Sequence, residues 1–223
     1  MIEALLFDAA GTLIAPAEPV GDTYARILAS HGLVHHDLQA GFIRAFATAG
    51  EPDFDHHSDG DLAERAWWRR VVELSVGQTV TDPMFTDLFD HYASGSAWRI
   101  LPGVEDALDT AGGFRLAVVS NFDQRLHHVL AELGLADRFE LILPSSAARA
   151  RKPSPAIFLH ALDRLGLRPD QVLHVGDSEI ADGQGPANAG IRGHVLGRDV
   201  TDLAQFVRLA GEMAKQPRTT DDP

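Results

Sequence analysis

The sequence predicts an α/β protein, a doubly wound parallel sheet with a block of helices inserted after the first strand. Three observations carry this. From Arg115 onward, short apolar runs alternate with amphipathic stretches, the pattern of a parallel sheet covered on both faces. One more apolar run, Ile2 to Phe7, stands alone near the N-terminus. Everything between about Val20 and Ala93 has a helical period.

Composition bounds the function. The 223 residues are enough for a main domain with a smaller companion, and 45% hydrophobic with 23% charged residues describes a globular chain. A formal charge of −13 argues against nucleic acid and anionic membrane as partners, while leaving room for a phosphorylated ligand at a local cation or metal. With no cysteine, disulfides, thiolate zinc sites and cysteine nucleophiles are excluded. No apolar run approaches the roughly 20 residues of a membrane span, and the N-terminus does not read as a signal peptide. A cytoplasmic protein is the expectation.

The first strand delivers Asp8 to its carboxyl end, where Gly11 turns the chain. Ligands and chemistry gather at that edge of open α/β sheets, so Asp8 reads equally as a nucleophile, a metal ligand or a turn residue. Ala15 to Pro19, with two prolines, reads as a linker. Stripes at Val20, Tyr24, Ile27 and Leu28, then at Leu38, Phe42, Phe46 and Ala49, predict two helices. Leu62, Ala66, Val71 and Leu74 predict a third, after a polar loop from Gly50 to Gly60. Thr81 and Pro83 start a fourth. Ala93 to Ser96 is a second linker. The expected organisation is a core of residues 1–14 plus 96–214, a helical unit at 15–95 and a frayed polar tail at 215–223.

In the core, a helix follows Pro102-Gly103 up to Ala111. Strands are expected at Arg115 to Val119, Leu141 to Leu143, Val172 to Val175 and Gly193 to Leu196. Helices are expected at Gln124 to Leu133 and Pro155 to Leu165, then a short one up to Gly190 and a last one from Thr201 to Met213. The strand ends carry polar signatures: Ser120-Asn121, then Lys152-Pro153 beyond the next strand's loop, then Gly176-Asp177 with Asp182 close behind. Each alone has a structural explanation as a cap, a surface lysine or a turn. With Asp8 they make four such signatures in this order, all toward one edge, and together they point to a site.

In order and residue type these motifs resemble the haloacid dehalogenase-like (HAD) hydrolase superfamily, over essentially the whole chain. The helical insert corresponds to that superfamily's cap, and the core to its Rossmann-type sheet. Val119 to Asp123, Tyr92 to Trp98 and Val175 to Asp177 are most similar to the branch named after a rhythmically expressed fly gene. The resemblance implies a phosphatase of a small phosphorylated molecule. Asp8 would be the nucleophile that becomes an aspartyl phosphate, Ser120 and Asn121 would hold phosphoryl oxygens, and Lys152 would neutralise charge. Asp8, the Ala10 carbonyl and Asp177 would hold Mg²⁺, with Asp182 in support. Phosphoryl transfer asks mainly for positioning and charge neutralisation, which this set supplies.

The departure is Ala10. Phosphatases of the superfamily carry a second Asp there, which protonates the leaving group and activates water. Positioned acid–base groups contribute about 10²–10⁴-fold, so slow turnover is expected. The alternatives are a catalytically impaired fold that binds a phospho-ligand or protein, and a haloacid dehalogenase. The latter carries Tyr at position 10 and a Ser-Ser-Asn motif where this chain has Gly176-Asp177-Ser178. The Asp-x-Ala-Gly-Thr pattern of Asp8 to Thr12 is shared with phosphonoacetaldehyde hydrolases. Those need a cap lysine, and this chain has only Lys152 and Lys215. The paired histidines 35–36, 56–57 and 127–128 read as solvated surface. Trp67-Trp68 reads as one core ring and one at the rim. Arg149 and Arg151 read as surface arginines, with an anion site as the sharper alternative.

Overall fold

The computed structural model describes residues 1–215, so all of the expected frayed tail but Lys215 lies outside the described residues. Strand β1 (Ala4–Phe7) sits at the centre of a parallel sheet. The other strands are β4 (Arg115–Ser120), β5 (Leu141–Pro144), β6 (Val172–Gly176) and β7 (Arg192–Val195), in the order β5-β4-β1-β6-β7. Alternation decides which face each β1 residue serves. Leu5 and Phe7 join one apolar cluster with helices α5 (Val104–Thr110), α6 (Arg125–Glu132) and α10 (Leu203–Lys215). Ala4 and Leu6 join the opposite one with α8 (Pro155–Leu165), where Phe158 is fully buried. Burying a side chain of that size contributes about 1.5–3 kcal/mol, so both layers hold the strand that carries Asp8.

The insert contains α1 (Val20–Ser30), α2 (Leu38–Thr48), α3 (Gly60–Val76) and α4 (Asp82–His91). The expected start signal of α4 is present: Pro83 lies in its first turn and the Thr81 hydroxyl accepts from the Met84 amide. Trp67 is buried and Trp68 half-buried, as the pattern suggested.

Three expectations are corrected. A strand ribbon runs into the first linker and follows the second: β2 (Ile14–Pro16) pairs antiparallel with β3 (Trp98–Ile100), tying the two ends of the insert together. A three-residue strand ending in proline has no period to read, and its partner lies far along the chain. Secondly, Ser145–Ala148 forms a short helix, α7, too small to leave a pattern. Thirdly, the segment after Asp177 is a π-helical turn (Glu179–Gln184) followed by α9 (Gly185–Asn188). Among the described residues, no helix is long and apolar enough to cross a membrane.

Arg149 is exposed, as expected of a surface arginine, whereas Arg151 differs from expectation. Arg151 is buried, stacks on the Trp67 ring at 4.0 Å and faces the Glu64 carboxylate at 3.6 Å. Glu64 is itself fully buried and accepts from Ser145 Oγ at 2.5 Å. Burial pushes its carboxyl up, against the pull of Arg151. Arg149 donates to the carbonyls of Phe54 and His57. Both arginines therefore tie the insert to the core. Their partners are sequence-distant, which is why isolated arginines look solvated in a linear reading.

Candidate active site

Every strand end expected to bear chemistry faces the same place. Asp8 follows β1 directly, its amide donating to the Val175 carbonyl of β6 at 2.9 Å. Its carboxylate meets Lys152, whose Nζ donates to Asp8 Oδ1 at 2.7 Å and to Asp182 Oδ1 at 2.6 Å. Lys152 is only 3% exposed, so these are ion pairs in a dry setting. Burial would push the ammonium down, but the two carboxylates hold it above its usual value.

Asp182 is the hub of this network. Besides Lys152, its Oδ1 accepts from His174 Nε2 at 2.8 Å, and its Oδ2 from the Ser178 amide at 3.0 Å. Burial would raise its carboxyl, yet Lys152 and His174 carry it well below the carboxylate range. His174 is completely buried in β6, and burial keeps its ring neutral. A neutral imidazole facing a carboxylate carries its proton on the nitrogen that faces it, here Nε2. Sequence reasoning missed His174; its one signal is a histidine inside an aliphatic strand, eight residues before an aspartate.

Asp177 stands on the open side. The carboxylates of Asp8, Asp177 and Asp182 each offer an oxygen within 4.8 Å of the others. Desolvation on its protein side, with Asp8 and Asp182 nearby, pushes the Asp177 carboxyl up to about 6. Glycine makes room for it. A Cβ on Gly11 would lie 2.4 Å from Asp177 Oδ2, and Gly11 has a φ of +94°. A Cβ on Gly176 would fall 2.1 Å from the Asp182 carboxyl carbon. Neither glycine can be replaced without moving a carboxylate. The Ala10 carbonyl accepts no hydrogen bond from the described residues. Hard oxygen donors around a concentrated negative charge suit a divalent cation.

Ser120 ends β4, buried, with no partner for its hydroxyl among the described residues. Asn121 has a second role beside the expected one. Its Nδ2 donates to the Lys152 carbonyl at 2.9 Å and its Oδ1 accepts from the Lys152 amide at 2.7 Å. These two bonds let Asn121 position the Lys152 backbone, and they use one of its two Nδ2 protons. The linear sequence could not show that pairing, because it joins two loops.

Ala10 is exposed to a cavity of about 200 Å³ that extends up into the insert. Its walls are mainly aromatic, including Tyr24, Phe42, Trp68, Phe89 and Trp98, and none of its lining residues bears a carboxylate or imidazole.

A family model described as haloacid dehalogenase-like hydrolase matches residues 2–190. A haloacid dehalogenase-like hydrolase domain-containing protein 3 of Mus musculus is 34% identical over 212 residues, covering 90% of this chain and 84% of its own. A phosphoglycolate phosphatase of Nitrosospira multiformis is 29% identical over 218 residues, covering 91% and 88% respectively. The solved L-2-haloacid dehalogenase of Xanthobacter autotrophicus aligns with a TM-score of 0.73 at 19% identity, over 95% of this chain and 99% of that one.

Proposed function

Starting from the fact that the chain belongs to the haloacid dehalogenase-like hydrolase family, we propose that it is a magnesium-dependent phosphohydrolase acting through an aspartyl phosphate on Asp8. The observation that carries this reading is the Lys152 ammonium held between Asp8 and Asp182, beside a third carboxylate on Asp177. A nucleophilic aspartate next to a fixed cation and a hard-oxygen cation site is the equipment of phosphoryl transfer. Dehalogenation needs no third carboxylate, and the cluster with Asp177 weighs against it.

The roles follow from the contacts. Lys152 pins Asp8 Oδ1, leaving Oδ2 without a partner among the described residues. Oδ2 attacks phosphorus; the bond to the leaving oxygen breaks and its electron pair departs with that oxygen. The Ser120 hydroxyl, also unpartnered, is the donor for a phosphoryl oxygen, and Lys152 offsets charge as the phosphoryl group arrives. Asn121 fixes the Lys152 backbone, while Asp182 and His174 hold the ammonium from behind. Water then attacks the aspartyl phosphate, releasing phosphate and restoring Asp8. Asp8, Asp177 and the Ala10 carbonyl would hold Mg²⁺, with Asp182 in support, and the ion would neutralise phosphoryl charge.

The metal and the proton compete for Asp177. Its carboxyl is raised to about 6, and only the carboxylate binds Mg²⁺, so affinity should be full at pH 7.5. Below about pH 6 it should weaken, approaching tenfold per pH unit. Titration calorimetry at pH 7.5 and 5.0 measures this. Equal affinity at both values, or undiminished binding by Asp177→Ala, would remove Asp177 from the site.

Ala10 decides the kinetics. The adjoining cavity offers no carboxylate or imidazole to protonate a leaving oxygen or activate water. Aryl or acyl phosphates, which leave without a proton, should therefore outpace alkyl esters, and phosphorylated enzyme should accumulate as a burst followed by slow turnover. Ala10→Asp would place a carboxyl against an apolar cavity, where desolvation raises its pKa toward that of a working acid. Turnover of alkyl phosphates should then rise by up to about 10²-fold. Stopped-flow assays with intact mass of the enzyme read both effects. Brisk alkyl hydrolysis by the parent, with no accumulating intermediate, would contradict this reading. A binding module is the second reading, favoured by Ala10, and it predicts ligand binding with no phosphorylated Asp8.

A further inference from the structure

On the phosphohydrolase reading above, we infer that the substrate is a phosphate of a flat, uncharged aromatic group, and that the cavity between Ala10 and the insert holds that group. Two independent features of the chain converge on it. The first is chemical: with Ala10 in place of an acid, the site favours a leaving oxygen that needs no proton. A phenol, with a pKa near 10, leaves as its anion far more readily than an alcohol.

The second is the cavity itself. It begins at Ala10 and Asn121, beside the residues assigned to the phosphoryl group, and ends among rings of the insert. Tyr24, Phe42, Trp68, Phe85 and Phe89 present faces and edges to its interior, suited to a ring stacked among them. An apolar cavity of about 150 Å³ accepts benzene, so about 200 Å³ takes one ring with substituents or a compact bicycle.

The walls also exclude other substrates. The one charged lining residue, Arg125, already has its charge paired with Asp123. Its Nε and Nη2 each donate to Asp123 at 2.8 Å, its Nη1 donates to the Phe89 carbonyl at 2.6 Å, and its guanidinium lies 3.5 Å over the Phe89 ring. No free cation remains there for a second anionic group, so a substrate such as phosphoglycolate would bury its carboxylate unpaired. Sugar hydroxyls would meet the same apolar surface. Trp68 Nε1, buried without a partner among the described residues, is the one indole donor left for a polar substituent on the ring.

The test separates the cavity from the chemistry. Calorimetry should show 1-naphthol binding the parent without any phosphate, and binding should weaken at least tenfold in Val20→Phe, which adds a ring at the cavity wall. In steady-state assays, kcat/KM for 1-naphthyl phosphate should exceed that for phosphoglycolate by at least a hundredfold. It should drop tenfold or more in Val20→Phe, while hydrolysis of acetyl phosphate, too small to need the cavity, stays within twofold. Should Val20→Phe not fold, Phe46→Ala, at a residue that is 47% exposed, gives the same loss on the aryl substrate by opening the wall. Absence of naphthol binding, or a preference for phosphoglycolate, overturns the assignment. Naphthol binding with no turnover of either acetyl or naphthyl phosphate overturns the phosphohydrolase reading and the substrate inference with it.

Discussion

Asp8→Asn should abolish turnover, by at least about 10⁴-fold, on every phosphate the parent hydrolyses. The substitution keeps the size and the hydrogen-bonding reach of the side chain. It removes the one carboxylate placed to attack phosphorus, since Asp182 is engaged by Lys152, His174 and the Ser178 amide. Asp177 stands on the open side, within reach of Asp8 but with its carboxyl already raised by desolvation and by the charges of Asp8 and Asp182. The fold should survive, because Lys152 retains Asp182 as its counter-charge at 2.6 Å. Two measurements decide: kcat/KM on an aryl phosphate, and intact mass after rapid quench. The parent should carry one phosphoryl group and the variant none. Turnover within tenfold of the parent, or a phosphorylated variant, would remove Asp8 as nucleophile.

Lys152→Met should be nearly as damaging, and for two separable reasons. It leaves two carboxylates facing each other in a buried setting without the cation that joined them. Breaking such a pair costs about 3–5 kcal/mol. It also removes charge stabilisation from the phosphoryl group, a loss of about 10²–10³-fold in rate. The pH dependence identifies the cause. In the parent, Lys152 and His174 hold the Asp182 carboxyl below its unfolded value, so its stabilising contribution is present at neutral pH and fades as the medium becomes strongly acidic. In the variant, burial and the facing carboxylate favour the protonated acid, so the penalty is full at pH 7 and shrinks toward pH 4 as a proton takes the place of the ammonium. Denaturant unfolding of both proteins at pH 7 and pH 4 should show that convergence. A difference independent of pH would mean that lost packing, not charge, sets the cost.

Much of this was legible in the chain because it is local. Apolar runs of four to six residues flanked by glycine and polar residues gave away β1, β4 and β6, since a strand buried on both faces needs continuous apolarity. The helices of the insert declared themselves by period, and α4 by its cap and proline. Asp8, Ser120, Lys152, Asp177 and Asp182 were findable because a parallel sheet places all its strand ends on one edge. Gly11 marked the turn that leaves room for Asp177.

What lay beyond the sequence is everything that depends on which distant atoms meet. The β2–β3 ribbon, the Arg151–Glu64 tie and the engagement of Asn121 by the Lys152 backbone each join segments with no local trace of one another. So does the role of His174, invisible until Asp182 is seen against it. The sheet, the helical insert and the set of chemical groups at one edge can be read along the chain, because period and strand ends are properties of neighbouring residues. Which of those groups remain free to react, and the aromatic cavity that opens at Ala10, emerge with the folded contacts. A donor's availability and a cavity's walls are both set by contacts between residues far apart in the chain, where hydrogen bonding and close packing leave no linear signature.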